Sequence, residues 1–374
     1  MRRDQVLLTP WAVGAIAVAF VMMGMIVGGF GPLFEHLTRR FGVSLPVAGA
    51  TISVYFAGSL PGVFIAMRAV ERVPARIVVA AAMAVASLGL VAVAVAFVWL
   101  LFLAAVGVVG LGFGVLVLGL NQLVAYSAGR RRVALLNALN GCYSAGAVAG
   151  PVLVAAFAET RFSALYLLAA AVWLALIPGT LGIAGRLPVA TGSRARSGAL
   201  VGVFMMAFLL YVGLENGTGG WMPSHLESTG LSSGAAATVT SGFWLALVTG
   251  RVLMTLVPAG VPEAAIVITG SALATVALLA ATVGPLAPWA YVACGLCLAP
   301  VFPTGILWLA KLRPDDSRAT SWLYPAASIG GITGPGAIGL VIAGAGVSWA
   351  PAVLAAVAVA MSAAFMLAAR RSAV

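Results

Sequence analysis

The sequence predicts an all-α polytopic membrane protein, with twelve transmembrane helices arranged as two pseudo-symmetric six-helix bundles. Three observations predict it. Apolar residues make up 63% of the 374 residues and charged residues only 8%, too few to solvate the surface of a soluble protein of this size. The apolar residues fall into runs separated by short breaks, and at about 30 residues for each span with its turn the chain has room for about twelve. Finally, Ser144-Ala-Gly-Ala-Val-Ala-Gly-Pro151 returns 184 residues later as Ser328-Ile-Gly-Gly-Ile-Thr-Gly-Pro335. A weaker echo joins Val73-Pro-Ala-Arg-Ile-Val78 to Pro262-Glu-Ala-Ala-Ile-Val267 at a similar offset.

In order, the first span covers about 10–34 and is rich in small residues (Gly24, Gly28, Gly29, Gly31) that let helices approach closely. A short loop with Glu35 and His36 leads to the second span at 46–67, then to a basic turn with Glu71, Arg72 and Arg76. The third and fourth spans, 77–97 and 100–126, have almost no loop between them and must be antiparallel neighbours. The fourth carries the amide pair Asn121-Gln122 and runs into Arg130-Arg131-Arg132. The fifth, 134–158, holds Asn137 and Asn140 three residues apart on one helix face, with Ser144 a turn further on and Tyr143 beside it. The sixth, 164–184, is plainly apolar. A polar stretch, 185–198, falls at the middle of the chain and reads as a linker between halves 1–184 and 199–374. The second half reads as spans at 199–226, 235–257, 263–283, 289–310, 319–344 and 348–369. Of these the seventh is expected to be broken, because Tyr211 to Leu226 combines Glu215, Asn216, four glycines, Trp221 and Pro223.

The net charge of +11 does not point to nucleic acid, because the basic residues are scattered between apolar runs and form no stripe. Their distribution instead orients the chain. With both termini cytoplasmic, the clusters at Arg2, Arg68 to Arg76, Arg130 to Arg132, Arg186 to Arg196, Lys311 to Arg318 and Arg370 lie inside, and only Arg39, Arg40 and Arg161 lie outside. A multi-pass protein of the inner (cytoplasmic) membrane is expected, without a cleaved signal. Cys142, Cys294 and Cys297 lie in apolar runs far from His36 and His225, so they read as packing residues rather than a metal or disulfide set.

Parallel repeats of six helices are the architecture of major facilitator transporters. Several motifs extend that likeness: the Gly31-Pro32 exit from the first span, the run Gly110-Leu-Gly-Phe-Gly-Val-Leu-Val-Leu-Gly-Leu-Asn121, the Gly-Pro ending of the fifth span, and Tyr211-Val-Gly-Leu-Glu215 with Gly219-Gly-Trp221. Together they resemble the fucose permease-like, sugar-transporter branch. The resemblance implies alternating access around a site between the halves. The branch's inner-loop latch would fall on Glu71, Arg72 and Arg76, with Arg251 near the corresponding end of the eighth span. Its acidic residues of the first and fourth spans are Gly31 and Val117 here, which leaves Glu215 as the carboxylate placed within a span.

Glu215 therefore reads either as a proton-coupling group or as a structural acceptor tied to Arg251. Asn121, Gln122, Asn137, Asn140 and Asn216 offer neutral donors and acceptors that suit a polyhydroxylated solute, or equally bridge helices. Tyr143, Trp221 and Tyr324 are the candidate stacking faces, Tyr324 standing where Asn140 stands in the first repeat. The expected function is secondary or facilitated transport of a small, sugar-like polar solute, with a co-transported proton in the coupled case. The alternative is efflux of drugs or lipophilic metabolites, to which the Gly-x-x-x-Gly-Pro element points. No nucleophile, metal cluster or phosphate loop marks an enzyme or an ATP-driven pump, so no cofactor is expected, and this architecture works as a monomer in the bilayer.

Overall fold

A computed structural model describes residues 7–127, 132–185, 198–256, 260–314, 316 and 319–372. Among them eleven helices are long and apolar enough to cross a membrane. All but two residues of the expected linker, and Arg130 and Arg131, lie outside the described residues. The first half contains α1 (Pro10–Phe41), α2 (Leu45–Arg72), α3 (Ala75–Val95), α4 (Trp99–Ser127) and α5 (Arg132–Leu176). The second contains α6 (Ala199–Ser228), α7 (Ser233–Leu253), α8 (Glu263–Ala280), α9 (Ala287–Leu298), α10 (Val301–Leu312), α11 (Leu323–Ala345) and α12 (Ala350–Ser372). Two residues at each end of the first half, Leu7–Leu8 and Ile183–Ala184, form a small antiparallel ribbon.

The helix ends follow local chemistry. Thr9 caps α1, its hydroxyl accepting from Ala12 N at 3.2 Å, with Pro10 in the first turn, where a proline costs no hydrogen bond. Gly42, at φ 66°, ends the same helix in the left-handed region that glycine enters freely. α9 and α10 together make one crossing, Gly284–Leu312, interrupted at Ala299-Pro300.

α5 is 45 residues long, about twice what a bilayer core needs, and Arg161 inside it leaves helical geometry (φ −140°, ψ 36°). Its contacts run in two directions. Before Arg161 it climbs alongside α1, Gly24 lying against Tyr143 and Gly29 against Gly150 and Val154. After Arg161 it descends along α3, where Ser163 Oγ donates to Ala94 O and Ser87 Oγ donates to Ala170 O. The chain then reaches Gly182, whose carbonyl accepts from Thr9 N at the start of α1.

α6 corrects one expectation. It is a continuous helix of 30 residues, with Pro223 inside it and no break at Gly213 to Gly220. Its glycines serve close packing instead: Gly213 meets Gly330 and Gly334 of α11, Gly217 meets Ile338, and Gly220 meets Ile52 of α2. In a membrane, neighbouring helices can tolerate a proline within a helix, so glycine and proline do not by themselves end one.

The sequence repeat is a repeat of contacts. A Cβ on Gly146 would lie 1.9 Å from Val21 O of α1, and one on Gly330, its counterpart, 2.0 Å from Leu209 O of α6. A Cβ on Gly110 of α4 would lie 1.9 Å from Tyr55 O of α2, and one on Gly295 of α9 would lie 2.4 Å from Phe243 O of α7. Each pair sets two backbones against each other where a methyl group would not fit. Since the glycines of the Gly-x-x-x-Gly-Pro element are used in this way, the element needs no exchange function to explain it.

Two substitutions test this packing. Gly330→Val should lower the melting temperature of the detergent-purified protein, by the equivalent of about 1–3 kcal/mol of overpacking. Gly119→Ala should be near neutral, because nothing lies within 4 Å of a Cβ there.

Candidate functional site

The directions of packing set the frame. α2 runs antiparallel to α11, Pro46 O lying near Gly339 and Phe56 against Gly331, and α6 runs alongside α11. Both ends of the described chain therefore sit at one end of the bundle, the termini end. At the opposite end the two halves are in direct contact. A Cβ on Gly31 of α1 would meet Gly219 O at 2.3 Å and the ring of Pro223 at 2.9 Å, and Phe34 packs on Trp221 with ring centroids 5.2 Å apart.

Trp221 belongs to that seal. It is fully buried, its indole N–H donates to Pro335 O at 3.0 Å, and its ring lies against Gly49 and Gly339. It therefore offers no stacking face to a solute in this conformation. Asn216 is likewise buried, and its Nδ2 donates to Val212 O in its own helix at 3.0 Å. Asn121 does the same with Val117 O at 2.6 Å. In this conformation each amide donates within its own helix and bridges no pair of helices.

A polar group joins α5 of the first half to α6 and α7 of the second. Tyr211 and Glu215 are one turn apart on α6, and the phenol donates to Glu215 Oε1 at 3.2 Å. Arg251 of α7 faces the same oxygen, Nη2 to Oε1 being 3.6 Å. From the other half, Ser144 of α5 accepts from Arg251 Nη1 at 3.3 Å and itself donates to Asn140 O. Tyr143, next to Ser144, lies within electrostatic reach of both Glu215 and Arg251. The side chains of Glu215 and Arg251 are 14% and 29% exposed, so the pair is sheltered but reachable.

One helix face of α5 shows from which end it is reached. Val148 O accepts from Ser241 of α7, Ser144 meets Arg251 a turn nearer the termini end, and Asn140, a further turn on, is exposed. The face that touches the second half at Val148 and Ser144 is uncovered toward the termini end.

Of the residues expected from sequence, Asn140, Tyr143, Glu215 and Arg251 are brought together. Gln122 on α4 and Tyr324 in the first turn of α11 are half-buried. The side chains of Asn137 and Glu71 lie outside the described residues. Arg72 and Arg76 are exposed at the termini end, whereas Arg251 pairs with Glu215 and does not join them. Sequence reasoning left Tyr211 out of the site and gave Ser144 no role beyond its helix face. The i, i+4 spacing of Tyr211 to Glu215 was a readable signal for the first. Outside this site, His36 is buried against Phe162 and 3.5 Å from Glu159, which also pairs with Arg39.

Residues 16–294, well over half of the chain, match the family model described as Major Facilitator Superfamily. No curated protein matches the sequence. Among solved structures, the chain is similar to a mutant of the nucleoside transporter NupG at 13% identity, covering 96% of this chain and 99% of that one with a TM-score of 0.76. It is similar to a POT family transporter in complex with 5-aminolevulinic acid at 15% identity (96% of each chain, TM-score 0.78). It is also similar to a D-xylose-proton symporter at 13% identity (94% and 97%, TM-score 0.74). At these identities the likeness is one of fold.

Removing either member of the ion pair alone should cost more than removing both. Arg251→Gln leaves Glu215 without its counter-charge and should destabilise the protein by about 1–3 kcal/mol, a discount for partial exposure on the cost of a fully buried pair. The double variant with Glu215→Gln should recover most of that loss, as read from melting temperatures in a double-mutant cycle.

Proposed function

The chain belongs to the Major Facilitator Superfamily, and from that premise we propose that it is a secondary transporter moving a small polar, sugar-like solute across the cytoplasmic membrane by alternating access. The observation that carries this reading is the Tyr211–Glu215–Arg251–Ser144 group, a sheltered charged cluster shared between α5 of the first half and α6 and α7 of the second. An intramembrane ion pair reachable from one end and closed off from the other is what a solute site between two rocking halves requires.

The reading includes twelve spans, counting the two passes of α5 separately, in two six-helix halves with both termini in the cytoplasm. In that orientation this conformation is closed on the outer side and accessible from the inner side. Tyr143, Tyr324, Asn140 and Gln122 supply hydroxyls, amides and ring faces suited to a hydroxylated solute. Glu215 is the proton-coupling group: a carboxylate whose partner, Arg251, contacts the opposite half experiences a different environment when the halves move, and so can load and release a proton with the transport cycle. The protein acts as a monomer, needs no cofactor, and has the lipid bilayer and its solute as partners.

Transport measured in proteoliposomes across mildly acid to mildly alkaline pH tests the coupling. Glu215→Gln should remove the pH dependence. Transport that keeps the wild-type pH profile in this variant would take Glu215 out of the mechanism. Cysteine-accessibility labelling of tags at the two termini should report both on the cytoplasmic side.

A further inference from the structure

Arg251 carries more hydrogen-bond donors than the protein satisfies. Nη1 donates to Ser144 Oγ. Nη2 stands 3.6 Å from Glu215 Oε1, beyond the 2.7–2.9 Å typical of a charge-assisted bond. Nε is buried and has no acceptor. The two charges do not close on each other because each is held elsewhere, Glu215 by the Tyr211 hydroxyl on its own helix and Arg251 by Ser144 of the opposite half. A guanidinium presents its donors as a planar fork, and an incompletely filled fork in an apolar medium is costly. A hydroxyl of a neutral sugar can fill one prong. A carboxylate fills two at once, with matching geometry and charge.

Resting on the reading of this group as the transport site, we infer that the solute carries a carboxylate, which docks on Arg251 in place of Glu215, and that Glu215 takes up one proton as it is displaced. The charges balance. The empty site holds one anion and one cation and is neutral; the loaded site holds the solute carboxylate, the guanidinium and a neutral Glu215 carboxylic acid, and is neutral again. The bond formed is the O–H of Glu215, its proton coming from water on the accessible side. Loading the anion without that proton would leave a net negative charge in the sheltered site, a penalty that a neutral solute would never incur. The ionisable groups facing Glu215 are Tyr211 on its own helix, Arg251 from α7 and Tyr143 from α5, which in turn acts on Tyr55 of α2. Arg251 is the cation among them, so solute and Glu215 compete for one counter-charge. Anion and proton then move together, without net charge movement due to the solute.

The experiment is a thermal-shift series on the full-length, detergent-purified protein with matched pairs: lactate and lactamide, benzoate and benzamide, glucuronate and glucose. A ligand that binds the native state raises the melting temperature. The expected result is a rise with at least one carboxylate and none with its neutral twin, larger at mildly acid than at mildly alkaline pH. Glu215→Gln, which mimics the protonated acid, should respond to that carboxylate with no dependence on pH. Arg251→Gln should lose the response. So should the charge-balanced double variant of both substitutions, which covers the case where the single variant fails to fold. A wild-type protein stabilised by no carboxylate of the series overturns the inference, and so does a carboxylate response that survives in the double variant. Stabilisation by glucose alone overturns it too, yet leaves the polar-solute transporter standing. The transporter reading fails separately, if proteoliposomes carrying the wild-type protein take up none of these solutes faster than protein-free liposomes.

Discussion

Glu215 and Arg251 are tolerable in the middle of an apolar bundle because each neutralises the other, and the arrangement of three helices follows from keeping them near but not joined. α6 supplies Tyr211 one turn below the carboxylate, α7 supplies the guanidinium, and α5 supplies the Ser144 hydroxyl that draws the guanidinium toward the first half. A tight bidentate pair would be more stable and would have no spare donor. The observed looseness is thus the property that leaves room for a competing ligand, and it links whatever occupies the site to a contact between the halves.

The rest of the bundle supplies rigidity around that loose centre by bringing backbones together. The glycines at positions 146 and 330, and at 110 and 295, occupy corresponding places in the two repeats and meet carbonyl oxygens of corresponding partner helices. Without a hydrophobic drive between helices in lipid, this close contact is what holds each half as a unit. The contacts between halves are distributed differently. Gly31, Phe34, Ile52 and Trp221 make such contacts opposite the termini end, Phe56 meets Gly331 nearer the middle of the bundle, and along α5 the contacts give way to exposed Asn140 toward the termini. An interface packed more closely at one end than along α5 fits the rocking of two halves proposed above.

Much of this was legible in the sequence, because hydropathy and small-residue spacing report directly on what a bilayer demands. The apolar helices, the hairpin of α3 and α4 and the repeat all follow from those signals, and Glu215 stood out as a carboxylate within a span. α6 was misread for a physical reason: Gly213 to Pro223 has the composition of a helix break, and only the positions of Ile338, Trp244 and Ile52 reveal that the missing side chains make room for neighbours. Trp221 was open likewise, since an indole in a polar stretch can stack on a solute or donate to a backbone carbonyl, and in this conformation it donates to Pro335 O. Arg251 lay between two readings. Its place near the end of a span suited a latch with Arg72 and Arg76, and nothing short of the three-dimensional distance to Glu215 separates that role from an ion pair.

The tether to Ser144 gives the pair a consequence for conformational change. When a ligand anion takes the place of Glu215, Arg251 keeps its charge balance but its pull toward α6 is lost, while its bond to α5 of the opposite half remains available. Occupancy therefore shifts Arg251 from a contact within the second half to contacts made with the ligand and the first half. A ligand can bias a two-state equilibrium only through interactions that differ between the states. A guanidinium shared between the halves is such an interaction, because its hydrogen bonds must rearrange if α5 and α7 separate. The side chain proposed to select the charge of the solute is thus placed to report its arrival to the contact between α5 and α7.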